Sequence, residues 1–258
     1  MKTGIIVESF KTDYESAIKL AKEMGFEGIQ FYGNFYSPDK TALPVSAVCA
    51  EIEGDSFETY NVQRIAKTKE IMLLAKKLGT NIVTTHIGVV DMQNQDMRAC
   101  LEEIGAFGEE IGVSLAIETG PEKATQLKEF IESLKTKNIG VNLDGANLVM
   151  VTDDDPVEAV YTLREYILHV HIKDGVMLKK TEPKIIYDFF ASGGIGDLRL
   201  DEYFKETPLG EGNVDLKGMI NALKDIGYDG YLTIERETSD TPMVDITRAK
   251  DYLDELMK

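Results

Sequence analysis

Apolar positions along this chain alternate between two periods. Four times a helix-spaced stretch runs into a glycine, then into a short, almost continuous run of apolar or β-branched residues that ends on a polar one. These phrases are LAKEMGFEGIQFYG around Gly25, LAKKLGTNIVTTH around Gly79, FGEEIGVSLAIE around Gly112 and LKDIGYDGYLTIE around Gly227. Glycine is a natural stop for such a helix, because the residue after the last turn often takes a left-handed backbone that a Cβ disfavours. Runs without polar alternation, such as 82–85 and 113–117, are how strands covered on both faces of a parallel sheet read.

The pattern predicts eight strands, at 3–8, 27–33, 45–52, 81–88, 113–119, 139–144, 167–173 and 230–236. Helices are expected near 13–24, 61–78, 96–111, 123–135, 155–165, 214–226 and 245–257. The acids Asp153 to Asp155 before Pro156 make a favourable helix start. Residues 34–44 are too few for a full second helix, and residues 176–207 form a long insertion after strand seven. Alternating strands and helices imply a parallel sheet with right-handed crossovers. Eight such units closing on themselves are a (β/α)8 TIM barrel, for which 258 residues is an ordinary length. An open doubly wound sheet is the alternative, but no Gly-x-Gly-x-x-Gly follows a strand. No linker divides residues 1–258, so a single domain is expected.

Charge narrows the function classes. Lys and Arg total 28 against 45 Asp and Glu, a net charge of −17. A field of that sign repels nucleic-acid phosphates and anionic membrane surfaces. Two cysteines, Cys49 and Cys100, are too few for a disulfide framework or a zinc ribbon. Nothing approaches eighteen consecutive apolar residues, and the chain reaches Glu8 before a signal-like apolar core develops. The expectation is a cytoplasmic protein acting on a small molecule.

Barrel enzymes carry their chemistry where the strands end. The polar residues there are Glu8, Tyr32, Glu51, His86, Glu118, Asp144, His171 and Glu235. Glu8 and Glu51 read as solvated or ion-paired. Glu118, Asp144, His171 and Glu235 each follow an apolar run, where a lone charge is costly, so four of them at one rim point to a shared divalent cation. Three carboxylates and one imidazole favour Mn²⁺ or Mg²⁺, with Co²⁺ or Zn²⁺ also compatible. His169 and His171 share one strand face, and only one of them need be a ligand. His86 reads equally as a substrate contact or a structural histidine. Asn147 either faces the same cavity or caps the turn after Asp144.

Several segments resemble the sugar phosphate isomerase/epimerase family of xylose isomerase-like TIM barrels, which includes ketose 3-epimerases and endonuclease IV. They are TTHIG (84–88), LAIET (115–119), GVNLDGANLVM (140–150), HVHIKDG (169–175), PLGEGNVD (208–215) and GYDGYLTIERE (227–237). The resemblance implies one divalent metal held by Glu118, Asp144, His171 and Glu235. It prefers His171 over His169 as the second His of a His-x-His-x-x-Asp pattern. It places His86 and Lys173 at substrate oxygens, and Arg236 against Glu235 or the substrate, with surface ion pairs as the alternative for each. Asn147 stands where the family often has a histidine and joins the substrate-binding set. Phe204-Lys205-Glu206 does not reproduce the Asp-x-His that endonuclease IV needs for its zinc cluster. With three histidines in the chain, apurinic-site cleavage is a poor reading.

The activity so implied is isomerisation or epimerisation of a sugar, phosphorylated or not. A proton is abstracted next to a carbonyl held by the metal, through an enediolate, with Glu118 and Glu235 as the catalytic pair. Rival readings are a metal-dependent dehydratase or lyase on a keto-sugar or keto-glycoside, and a non-catalytic sugar-binding subunit. The insertion, with Lys179, Lys180, Lys184, Arg199 and the glycine-rich stretch 192–196, reads as a lid, a phosphate seat or a subunit-contact loop. Glu211, between Gly210 and Gly212, reads as structural. Homo-oligomers, dimers or tetramers, are usual in the family.

Overall fold

The computed structural model describes residues 1–50, 57–192 and 195–258, with only the backbone of 190–192. Eight strands close into a barrel: β1 (Lys2–Ile6), β2 (Gly28–Tyr32), β3 (Val45–Cys49), β4 (Ile82–Thr85), β5 (Ser114–Glu118), β6 (Ile139–Asp144), β7 (Ile167–Ile172) and β10 (Tyr231–Ile234). Every neighbour is parallel and β10 closes the circle between β7 and β1. The connecting helices are α1 (Tyr14–Glu23), α2 (Val62–Lys77), α3 (Gln95–Ile111), α4 (Ala124–Glu132), α5 (Pro156–Leu163), α7 (Leu216–Asp225) and α8 (Pro242–Met257).

Local chemistry accounts for the helix ends. The Asn61 side chain accepts the N–H groups of Gln63 and Arg64 at the start of α2, and Asp155 does the same for Val157 and Glu158 in α5, with Pro156 in the first turn. Gly79 and Gly112, past α2 and α3, have φ of 84° and 76°, the left-handed backbone that the recurring phrase requires. Residues 34–44 contain no helix. The short unit is instead fastened by Tyr36, whose ring stacks on Tyr14 of α1 at 4.3 Å.

Strand alternation gives the barrel two unlike faces. Leu115, Ile117, Val141, Leu143, Val170, Ile172, Leu232 and Ile234 belong to the buried apolar core shared with the helices. Gln30, Thr84, Asn142, His169 and Thr233 are also fully buried, and Gln30 reaches across the interior to both Thr84 and His169. The barrel is therefore filled by a polar layer beneath its rim. Strand register shifts between Ile29 and Gln30 and between Val141 and Asn142, and irregularities of this kind re-aim side chains.

The connection after β7 differs from the expected long loop. β8 (Asp174–Met177) and β9 (Phe204–Thr207) pair antiparallel, and α6 (Pro183–Ser192) lies between them. The apolar residues Ile185, Ile186 and Tyr187 explain the helix, and Ile186 is buried. Asp174 ties this unit to the barrel: its carboxylate accepts the N–H groups of Gly175 (2.8 Å), Gly210 (3.0 Å), Gly212 (2.9 Å) and Val214 (3.1 Å). A Cβ on Gly212 would lie 2.1 Å from Asp174 Oδ1, so only glycine fits that turn. Glu51 and the glycines at 193 and 194 lie outside the described residues. No helix among the described residues is long and apolar enough to cross a membrane.

Candidate functional site

Glu118 ends β5, Asp144 ends β6, His171 lies near the end of β7 and Glu235 follows β10. Asp144 and His171 are register partners across adjacent strands. The four side chains are buried, and each offers one ligand atom within 4.8 Å of the others. His171 Nδ1 lies 3.3 Å from Glu235 Oε2, 3.4 Å from Glu118 Oε2 and 3.9 Å from Asp144 Oδ2.

Hydrogen bonds hold the carboxylates in place. Glu118 accepts from the Asn147 amide at Oε1 (2.9 Å) and from the Asn142 amide at Oε2 (3.1 Å). Asp144 Oδ1 accepts the backbone N–H groups of Ala146 and Asn147 (2.7 and 2.9 Å), which starts the helical turn Gly145–Asn147. Asn147 thus caps nothing itself; it bridges the turn to Glu118. The Lys173 ammonium lies 3.1 Å from Glu235 Oε2 and also contacts Glu237.

Burial works against charge throughout this group, and the neighbours decide each outcome. Burial raises the Glu118 carboxyl, yet His86 and His171 hold it below its ordinary value. Burial likewise opposes ionised Glu235, but Lys173 and His171 hold it well below the usual carboxylate range. Asp144 goes the other way: burial, reinforced by Glu118 and Glu235 and only partly offset by Lys173, pushes it up to about 7. His171 overcomes burial through Glu118 and Glu235 and sits well above the ordinary imidazole value.

These features fit a divalent cation. Asp144 Oδ2 is buried without a hydrogen-bond partner, a costly arrangement that a cation would relieve. Three mutually close carboxylates and an imidazole nitrogen are also a donor set that suits such an ion. Glu118, Asp144, His171 and Glu235 would be its ligands.

The remaining expectations divide. His86 stands at the mouth, its side chain about a third exposed (32%) and Nε2 3.5 Å from Glu118 Oε1. Asn147 and Lys173 join the group through Glu118 and Glu235. Arg236 does not: its guanidinium pairs with Glu206 (2.7 Å) of β9 and Asp245 (2.9 Å) of α8 rather than with Glu235. Glu8 is not a solvated residue either. It is half-buried, accepts the Tyr32 N–H at 2.8 Å, and is raised by burial. His169 lies one layer below the group, with Nε2 2.8 Å from Gln30 Oε1.

Sequence reasoning missed five residues here. Gln30 and Asn142 contact His171; each is a lone amide within a buried strand, GIQFY and IGVNLD, and that was a readable signal. Glu237 shares Lys173. Glu122 is buried with neither oxygen in a hydrogen bond of normal geometry, and burial pushes it up to about 8, only partly offset by the Val90 backbone and His86. Tyr187 of α6 lies across from His86, ring centroids 6.0 Å apart, with its hydroxyl over Gly120. Nothing in the local sequence marks these last two.

The family model described as xylose isomerase-like TIM barrel matches residues 18–256. Among curated relatives, an inosose dehydratase of Lacticaseibacillus casei is 24% identical over 164 residues, 61% of this chain and 52% of the relative. The chain spans about half the length of the curated relatives it matches. Among solved structures, the probable 3-DHS dehydratase of petrobactin synthesis from Bacillus anthracis superposes with a TM-score of 0.75 at 19% identity, covering 98% of this chain and 99% of that one. A D-tagatose 3-epimerase-like protein superposes with a TM-score of 0.70 at 18% identity, covering 99% and 98%. These structural likenesses show the fold.

Proposed function

The chain belongs to the xylose isomerase-like TIM-barrel family, and from that premise we propose that it is a divalent-metal-dependent enzyme moving a proton at the carbon beside a carbonyl of a polyhydroxylated substrate. The observation that carries this reading is the placement of Glu118 and Glu235 on two sides of His171 Nδ1, at 3.4 and 3.3 Å, with Asp144 completing the group. When bound, the cation supplies Lewis acidity, polarising the carbonyl and acidifying the adjacent C–H.

The chain's own groups do the rest. Glu118 and Glu235 are both held as carboxylates, the state a base needs, and they approach the substrate from different strands. One carboxylate takes the proton and becomes a carboxylic acid; the proton goes back either from that same group or from the other carboxylate after it has bound a proton from water. Return to the same carbon from the opposite face is epimerisation; return to the neighbouring carbon is isomerisation. Asn147 fixes Glu118 Oε1 by its amide N–H, and Lys173 keeps Glu235 ionised. His86, a third exposed beside Glu118, would hydrogen-bond a substrate hydroxyl. Burial strengthens each of these interactions.

The substrate proposed is uncharged. Lys173 is engaged by Glu235 and Glu237, Arg236 by Glu206 and Asp245, and the insertion's Lys180, Lys184 and Arg199 by Asp153, Asp188 and Asp201. Lys179 lies over the Tyr203 ring instead, and a phosphate drawing on any of the other cations would have to displace one of those pairs.

A second reading, loss of a β-hydroxyl after the same proton abstraction, is favoured by the sequence likeness to inosose dehydratase. Mass spectrometry of products from metal-loaded protein and a panel of ketoses, inososes and ketose phosphates separates the two. A product of unchanged mass supports isomerase or epimerase chemistry, and loss of water supports the dehydratase. Preferred turnover of the phosphates contradicts the uncharged substrate.

A further inference from the structure

Gln30 is fully buried in the polar layer under the four-residue group. Its Nε2 donates to Thr84 Oγ1 at 3.0 Å. Its Oε1 lies 3.1 Å from His171 Nε2 and 2.8 Å from His169 Nε2. A carbonyl oxygen only accepts, so with the amide in this orientation both imidazoles carry a hydrogen on Nε2. The Asn142 amide nitrogen is no competing in-line partner. It sits almost equally far from the two ring nitrogens of His171, at 3.3 and 3.2 Å, and so lies in line with neither lone pair, while one of its two hydrogens goes to Glu118 Oε2.

We propose that Gln30 is the positioning residue of this centre: its side-chain carbonyl takes the Nε2–H of His171 and so leaves Nδ1 as the nitrogen that binds the cation. The inference rests on reading Glu118, Asp144, His171 and Glu235 as metal ligands. The geometry supports it from both sides of the ring, since Nδ1 is the atom 3.3–3.9 Å from the three carboxylates. Fixing the distal nitrogen of a ligand histidine sets its tautomer and ring orientation, and loss of such a partner typically weakens metal binding by about 10- to 100-fold. The same oxygen also accepts from His169, so the second histidine of the strand is tied to the interior and kept out of the ligand set. The strand irregularity between Ile29 and Gln30 is the backbone feature that places the amide there.

The test is a ¹H–¹⁵N spectrum of histidine-labelled protein, metal-free and Zn²⁺-loaded, together with Zn²⁺ affinity by calorimetry for wild type, Gln30→Leu and Gln30→Glu. In the wild type, Nδ1 of His171 should carry the metal-induced shift while Nε2 stays protonated. Gln30→Leu, which lacks an acceptor, should bind Zn²⁺ about 10- to 100-fold more weakly, and Gln30→Glu, which keeps one, should recover most of that loss. A purely structural role would lower the melting temperature without altering the bound nitrogen. Metal on Nε2 in the wild type, or unchanged affinity in folded Gln30→Leu, overturns the role of Gln30 while leaving the metal centre standing. A wild-type spectrum in which neither His171 nitrogen responds to Zn²⁺ overturns the metal centre, and this inference with it.

Discussion

The Lys173 ammonium lies 3.1 Å from Glu235 Oε2 with both side chains 5% exposed. A buried pair of this kind is maintained by mutual compensation, and removing one partner leaves an uncompensated charge. Lys173 compensates two acids, Glu235 and Glu237. Lys173→Met should therefore destabilise the metal-free protein by about 3 kcal/mol or more in urea titrations. Adding Glu237→Gln to that variant should restore part of the loss. Equal stability of wild type and Lys173→Met would show that the pair does not form.

Glu122 predicts a pH dependence of stability. Its carboxyl is raised from 4.5 to about 8 in the folded chain, so folding binds that proton more tightly. The associated stability is fully present below about pH 4.5 and is lost as the pH rises toward 8. Glu122→Gln, a neutral analogue, should match wild type near pH 4 and exceed it at pH 8.5 by on the order of 4 kcal/mol. Melting curves of both proteins across that range, with chelator present, check the divergence.

Arg236 separates structure from catalysis. Its two buried pairs with Glu206 and Asp245 fasten β9 and α8 to the barrel wall. Arg236→Ala should cost about 3–5 kcal/mol, while calorimetric metal affinity stays near wild type. A large loss of affinity without a loss of stability would instead place Arg236 at the site.

The barrel was legible because its signals repeat. Helix-spaced apolar residues, a glycine such as Gly79 or Gly112 and a continuous apolar run recur, and eight such units without a Gly-x-Gly-x-x-Gly favour a closed barrel over an open doubly wound sheet. Glu118, Asp144, His171 and Glu235 were legible for the same reason: a charge after an apolar run stands out. The rest depended on the third dimension. Arg236 left a contact with Glu235 or substrate and an ion pair both open, and its partners Glu206 and Asp245 lie too far along the chain, on β9 and α8, to be chosen from sequence. Helix α6 was missed because its apolar cluster is short, preceded by lysines and followed by the glycine-rich stretch 192–196. Glu122 and Tyr187 reach the mouth from a loop and from the insertion, and neither segment has a periodicity that assigns a direction.

The central claim is proton transfer by Glu118 and Glu235 beside a carbonyl. Its most direct test is deuterium uptake, read by mass spectrometry, from D₂O into uncharged ketoses incubated with Mn²⁺-saturated protein. The account predicts stereospecific uptake at a single carbon next to the carbonyl. That uptake should fall by about 10²- to 10⁴-fold in Glu118→Gln and in Glu235→Gln at saturating metal. Uptake that persists at the wild-type rate in either folded, metal-loaded variant would contradict it.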